Sequence, residues 1–255
     1  MLANRLVAHR GYQKAYPENT LLAYRQAIKA GALSIETDVL LSADRQAVLY
    51  HDPTLKRVSH KKGRIDQHQF EDLLTFPAYE PKRLGERFIE ETISPLSGLV
   101  DLLLEYPHVT AYIEIKKEAV EFAGLSDTYE AISQCLQPVA EQCPLISFNC
   151  DVISYARSQN WPRCGVVLKR WSDLGYDVVK QIKPDIVFCN YKKIPKKAVL
   201  NHIKAESGFD FELVLYEIAE PELAIYWLNW GADKVETFDI QNMIQALSQQ
   251  PEITL

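Results

Sequence analysis

The sequence predicts an α/β fold, a closed (β/α)8 barrel, on three observations. Short apolar runs alternate with helix-length amphipathic segments through the second half of the chain, the rhythm of parallel strands joined by crossover helices. The strand-like runs number nine, which suits eight barrel strands and one surplus. No glycine-rich phosphate loop follows the first run, which disfavours a doubly wound open sheet. A chain of 255 residues can bury one barrel core, so residues 1–255 are read as a single domain.

The elements follow in order. Strand Leu6–His9 leads through a loop, Arg10–Pro17, to a helix from Asn19 to Ala30, with Asn19 as N-cap and Gly31 as the stop. Two strand-like runs then flank Ser42-Ala43-Asp44-Arg45, a link too short for a parallel crossover, so they are expected to form an antiparallel hairpin. A turn centred between Ala43 and Asp44 pairs residues whose numbers add to 87, and it sets His51 opposite Glu36 with Asp38 on the same face. Residues 53–92 are charged and irregular, with one short amphipathic piece, Gln69–Leu74, and are read as an insertion or lid after the third strand run. Helices then alternate with strands: Leu96–Glu105 with Ala111–Ile115, Asp127–Gln142 with Pro144–Phe148, Asp151–Gln159 with Gly165–Leu168. The pattern continues with Tyr176–Ile182 and Asp185–Cys189, Lys196–Glu206 and Glu212–Tyr216, Pro221–Trp230 and Lys234–Thr237. There is no internal repeat and no low-complexity tract.

Composition narrows the function classes. A net charge of -6 gives no general affinity for nucleic acid or anionic membranes, leaving room only for a local basic pocket. The five cysteines are odd in number and form no C-x-x-C pair, the pattern of reduced thiols in the cytoplasm. No signal pattern opens the chain and no apolar run reaches membrane-spanning length, so the expected location is cytoplasmic and stable membrane association is not expected.

In a barrel the chemistry sits where strands end. Those ends carry His9-Arg10, Glu36 and Asp38, His51-Asp52, Glu114 with Lys116, and Tyr216-Glu217. Three carboxylates from neighbouring strands suit a hard cation, Mg2+ or Ca2+, better than zinc. Arg10 and Lys116 add cationic donors, and the arginine fork recognises phosphate. Metal, paired imidazoles and cations together describe a site for an anionic phosphoester, with His9 and His51 moving protons on opposite sides of the phosphorus.

Each residue also has a plainer reading. A lone strand-end histidine is usually just hydrogen-bonded, but His9 stands beside Arg10 and is matched by His51. Alternating carboxylates such as Glu36 and Asp38 are common on solvated edge strands; periodicity leaves the two readings even, and Glu114 tips them. A lone Lys116 would be a surface residue. His60, His68, His108 and His202 read as ordinary surface positions, and Lys192-Lys193 with Lys196-Lys197 as a solvated loop. Ser147 lies outside any G-x-S-x-G elbow, which removes a serine-hydrolase reading. Asp52 is expected to orient His51.

The ordered set His9-Arg10-Gly11, Pro17-Glu18-Asn19-Thr20, Glu36-x-Asp38, His51-Asp52 with Leu55 and Arg57, and Glu114-x-Lys116 resembles the glycerophosphodiester phosphodiesterase family, from residue 5 to about 240. The resemblance implies a barrel with a small insertion and hydrolysis of glycerophosphodiesters to an alcohol and glycerol phosphate. It implies His9 and His51 as acid and base, Glu36, Asp38 and Glu114 as metal ligands, and Arg10 and Lys116 as phosphate contacts. Asn19 would brace the first loop. Three places depart from the family pattern. The Trp-Thr-Val-Asn expected at the eighth strand is Tyr216-Glu217-Ile218-Ala219, in which Tyr216 offers an aromatic wall to the glycerol part. Arg57-Val58-Ser59 replaces Arg-Thr-Thr, and Glu236-Thr237-Phe238-Asp239 stands at the closing motif. Two other readings stand beside this one: a lipid phosphodiesterase of the sphingomyelinase D or phosphoinositide phospholipase C type, and a non-catalytic phosphodiester-binding protein.

Overall fold

The computed structural model describes residues 2–195, 200, 204 and 207–248. Ten strands form the sheet: β1 Leu6–Ala8, β2 Ser34–Leu41, β3 Ala47–Leu49, β4 Ser94–Pro95, β5 Thr110–Ile115, β6 Leu145–Ser147, β7 Cys164–Leu168, β8 Ile186–Asn190, β9 Glu212–Tyr216 and β10 Lys234–Thr237. Eight of them are parallel, in the order β1-β10-β9-β8-β7-β6-β5-β2, and the pairing of Ala8 with Ile35 closes the ring. The surplus strand is β3, antiparallel to β2. A tenth, β4, which the sequence pattern did not announce, pairs antiparallel to β3.

Barrel strands are covered on both faces, which is why they read as continuous apolar runs. Val7, Tyr112, Ile146, Val167, Ile186, Phe188 and Val214 fill the interior as one cluster, while a larger core lies between strands and helices. At the end of the barrel away from the site, Lys234 Nζ donates to Tyr112 Oη at 2.8 Å and to Ser34 Oγ at 3.1 Å, satisfying the polar groups of the plug. All five cysteines are unpaired. No described helix is long and apolar enough to cross a membrane.

Several boundaries differ from expectation. The first helix spans Leu21–Lys29 and its N-cap is Thr20, whose Oγ1 accepts from Ala23 N; Asn19 has φ 55 and turns its amide elsewhere. The run 127–142 divides into an α-helix, Leu125–Leu136, and a 3-10 helix, Gln137–Gln142, because Pro138 can start a helix but not continue one. Helices Lys117–Ala123 and Ile240–Ser248 were not anticipated. Tyr216 ends the seventh barrel strand, not the eighth, which is β10. The helix expected over 196–206 lies outside the described residues apart from the helical Leu200 and Lys204. His202, Lys196 and Lys197 also lie outside them.

The hairpin register also differs. Val39 pairs with Leu49, Leu40 with Val48 and Leu41 with Ala47, so paired numbers add to 88, not 87. The cause is one extra loop residue: Ser42 N donates to Gln46 O at 3.0 Å, Arg45 N donates to Ser42 O at 2.9 Å, and Arg45 takes a left-handed φ of 60. His51 is therefore not opposite Glu36, and strand parity does not bring the two together. The ladder stops at Leu49, Tyr50 N makes one more bond to Asp38 O, and a bend carries His51 to the barrel mouth. Between β3 and β4 the chain buries Leu55, Val58, Ile65, Leu73 and Ile93 in the same apolar core as the barrel helices.

A left-handed conformation costs an L-residue about 1 kcal/mol that glycine does not pay. Arg45→Gly is expected to stabilise the fold by ~0.5–1 kcal/mol, since the exposed ion pair it gives up with Asp127 is worth little. Urea unfolding midpoints of the two proteins measure the difference.

Candidate active site

The site gathers at the C-terminal mouth of the barrel. Glu36 and Asp38 alternate with Thr37 along β2 and point inward, and the parallel register sets Asp38 directly beside Glu114 on β5. His9 follows β1, its N–H bound to Thr237 O at 2.9 Å. Arg10 and Gly11 then turn through left-handed φ values of 51 and 80. A Cβ on Gly11 would lie 2.7 Å from the backbone carbon of Ala23, so only glycine lets this loop press onto the first helix. The turn aims Arg10 N at Glu36 Oε2, 3.1 Å away.

Asp38 is the most heavily compensated group. Arg10 Nε lies 3.0 Å from its Oδ2, Lys116 Nζ 3.2 Å from its Oδ1, and Asn19 Nδ2 donates to Oδ2 at 3.0 Å. Burial alone would raise its pKa, but Arg10 and Lys116 outweigh that and hold it well below the usual carboxylate range. Lys116 also donates to Glu114 Oε1 at 2.8 Å. Glu36 has no such cation of its own. Burial, then the charges of Asp38, Glu236 and Glu114, push its carboxyl well up. Burial raises Glu114 too, with Asp38 adding to it. His9 is pressed down to about 3, by burial first and then by Arg10. Its Nε2 lies 3.9 Å from Glu36 Oε2 and 3.7 Å from Glu217 Oε1.

One cavity joins His9, Arg10, Glu36, His51, Glu114, Lys116 and Tyr216, seven of the eight residues the sequence singled out. Asp38 lies beneath, buried and bound to Arg10 and Lys116. Oxygen atoms of Glu36, Asp38 and Glu114 lie within 4.8 Å of one another. The donor set fits a hard cation: all-oxygen ligands, and carboxyl groups that remain undercompensated after Arg10 and Lys116 are counted. Glu236 on β10 adds to that excess. It is buried, its Oε1 has no hydrogen-bond partner among the described residues, and with His9 and Glu36 it forms a second such group of three.

A model of the glycerophosphoryl diester phosphodiesterase family matches residues 9–205. The chain belongs to that family. A glycerophosphodiester phosphodiesterase of Bacillus altitudinis is 31% identical over 127 residues, covering 48% of this chain and 49% of that one. Glycerophosphodiester phosphodiesterase 1 of Mus musculus is 34% identical over 129 residues, 50% of this chain and 39% of the relative. The matches thus span about half or less of these relatives' length. Among solved structures, an Oleispira antarctica phosphodiesterase in complex with the product sn-glycerol-3-phosphate has a TM-score of 0.85 at 24% identity, covering 96% of this chain and 97% of that one. At that identity it shows the shared barrel fold.

Several groups in this family member's site were given no role by the sequence reading. Glu18, in the loop just before the first helix, accepts from Arg57 Nη1 at 2.8 Å and Nη2 at 2.6 Å, from Arg10 Nη1 at 3.1 Å and from Gln13 Nε2 at 2.9 Å. Its own N–H donates to Glu80 Oε2 at 2.9 Å, so residues of the long β3–β4 segment brace the first loop. Glu236, Phe148 and Phe188 also line the cavity. Glu236 did carry a signal, since charged Lys234 and Glu236 alternate in a strand covered on both faces. Of the histidines set aside, His60 and His108 are exposed, and His68 is half-buried edge-on against Phe76.

Burial would raise the Glu18 carboxyl, but its bonds to Arg57 and the charge of Arg10 bring it from 4.5 down to about 2. A depressed folded-state pKa contributes stability that is complete above the unfolded value and fades as pH falls through the folded one. Glu18 should therefore drive acid destabilisation between about pH 4.5 and 2. Glu18→Gln is expected to cost roughly 2–4 kcal/mol at neutral pH, as for a broken buried pair, and to flatten that acid slope. Denaturant unfolding across pH 2–7 measures both.

Proposed function

We propose that the chain hydrolyses glycerophosphodiesters to an alcohol and glycerol 3-phosphate with the help of a divalent cation, Mg2+ or Ca2+, and paired histidines. The observation that carries this reading is the convergence of two imidazoles, the acidic cluster and two cations on one cavity, in a chain of this family. Glu36, Asp38 and Glu114 would hold the cation, which supplies Lewis-acid neutralisation of charge on the phosphate oxygens.

The chain's own groups do the rest. Lys116 donates to Glu114 at 2.8 Å, pairs with Asp38 at 3.2 Å, and keeps a further N–H for a phosphate oxygen. Arg10 sets Nε 3.0 Å from Asp38 Oδ2 as an ion pair and donates Nη1 to Glu18, leaving Nη2 without a bond among the described residues. His9, neutral at pH 7, accepts the proton of the nucleophile at Nε2. Protonation of the leaving alcohol falls to doubly protonated His51, which gives up its Nε2 proton and keeps the Nδ1–H held by Asp52 Oδ1 at 2.7 Å. Tyr216 lines the wall taken by the glycerol part.

A panel of glycerophosphodiesters with choline, ethanolamine, glycerol and inositol head groups, assayed with Mg2+, Ca2+ or chelator, tests the reading. Chelator is expected to abolish turnover, and His9→Ala or His51→Ala to lower it by roughly 10²–10⁴-fold each. Full activity in chelator, or in both variants, overturns it.

A further inference from the structure

His9 and His51 reach the cavity from different segments, yet one hydrogen-bonded chain joins them behind it. His9 Nδ1 lies 3.1 Å from Gln13 Oε1, and Gln13 Nε2 donates to Glu18 Oε2 at 2.9 Å. Glu18 takes the Nη1 and Nη2 fork of Arg57, at 2.8 and 2.6 Å. The other edge of the same guanidinium holds Asp52, Nε to Oδ2 at 2.7 Å and Nη2 to Oδ1 at 2.9 Å. Asp52 Oδ1 then meets His51 Nδ1 at 2.7 Å.

Donor and acceptor capacities leave one consistent assignment. A guanidinium only donates and an ionised carboxylate only accepts. Glu18 therefore requires the amino end of Gln13, which turns Gln13 Oε1 toward His9. An amide oxygen only accepts, so His9 must carry its proton on Nδ1. Asp52 requires the same of His51. Both rings are thereby left with Nε2 as the nitrogen free for chemistry, whereas a neutral imidazole in water favours the proton on Nε2. The planar five-donor fork of Arg57 serves two carboxylates at once, which a lysine ammonium cannot reproduce.

We propose that Glu18 and Arg57 form a single positioning unit for both histidines, with Gln13 and Asp52 as its two arms, fixing each ring as the Nδ1–H tautomer. This rests on the two-histidine reading above, but the tautomer can be measured without turnover. The same triad logic elsewhere shows what a wrong tautomer costs, up to about 10⁴-fold in turnover.

The test is imidazole nitrogen NMR on the full chain labelled at histidine, with no substrate present, together with steady-state kinetics. In the unaltered protein both rings are expected as Nδ1–H in their neutral form. Gln13→Met, close in shape but without the acceptor, should move His9 alone toward the Nε2–H form and lower kcat roughly 10- to 100-fold with KM within about twofold. Arg57→Lys should disturb both rings. Adding Gln13→Met to Arg57→Lys should cost less than the product of the two separate losses, because the changes act on one unit. His9 found as Nε2–H in the unaltered protein, or unmoved in Gln13→Met, overturns the proposal; so does full multiplicativity of the two losses. Gln13→Met keeps the Glu18–Arg57 pair and so decides the matter even if Arg57→Lys fails to fold. A chain with the expected tautomers but no activity on any glycerophosphodiester would overturn the proposed reaction and leave the positioning unit standing.

Discussion

The charge on Asp38 is the constraint around which the mouth of the barrel is arranged. A carboxylate taken fully out of water costs several kcal/mol unless cations and hydrogen bonds replace its hydration. Here the replacements come from three separate segments: Arg10 from the loop after β1, Asn19 from the start of the first helix, and Lys116 from just beyond β5. Asn19 Oδ1 also accepts from Asp38 N at 3.2 Å and Thr37 Oγ1 at 3.0 Å, so one amide ties down two successive residues of β2. Satisfying Asp38 thus fixes where Arg10 and Lys116 stand. Those two residues in turn set the cationic wall of the cavity.

The same compensation is uneven, and the unevenness leaves an acidic cluster with the donor atoms a hard cation would need. Arg10 and Lys116 spend their charge on Asp38, Glu18 and Glu114. Among the described residues, Glu36 receives only a backbone N–H and Glu236 Oε1 receives nothing. Carboxyl groups pushed up this way are poor anions in isolation and good ligands when a divalent ion arrives. His9 sits at the edge of this acidic group but beside Arg10, and burial keeps its ring neutral.

Much of this was readable from strand ends alone. Once alternating runs implied parallel strands, Glu36, Asp38 and Glu114 had to share a rim, and the register of β2 on β5 places them so. The hairpin argument brought His51 toward the carboxylates by the wrong route. His51 lines the cavity, but by way of a bend after Tyr50, because the left-handed Arg45 adds a residue to the turn and shifts the ladder by one. The Glu18–Arg57 pair was not readable. Its residues are 39 apart in sequence and meet only because a long segment folds back against the first loop. No local periodicity encodes such a meeting.

Backbone strain gives the last link. Arg10, Gly11 and Asn19 all take left-handed φ, at 51, 80 and 55, within one loop and helix start. Two of the three are not glycine, and each such residue costs about 1 kcal/mol. The hydrogen bonds show what the strain makes possible: Arg10 N reaches Glu36 Oε2 at 3.1 Å, and Asn19 Nδ2 reaches Asp38 Oδ2 at 3.0 Å. Relaxing either residue to the right-handed region would swing its donor away from a buried carboxylate, a larger loss than the strain itself. The loop is therefore held in its shape by the acids it serves. The Glu18–Arg57–Asp52 chain behind it gives the histidine at each end the same support.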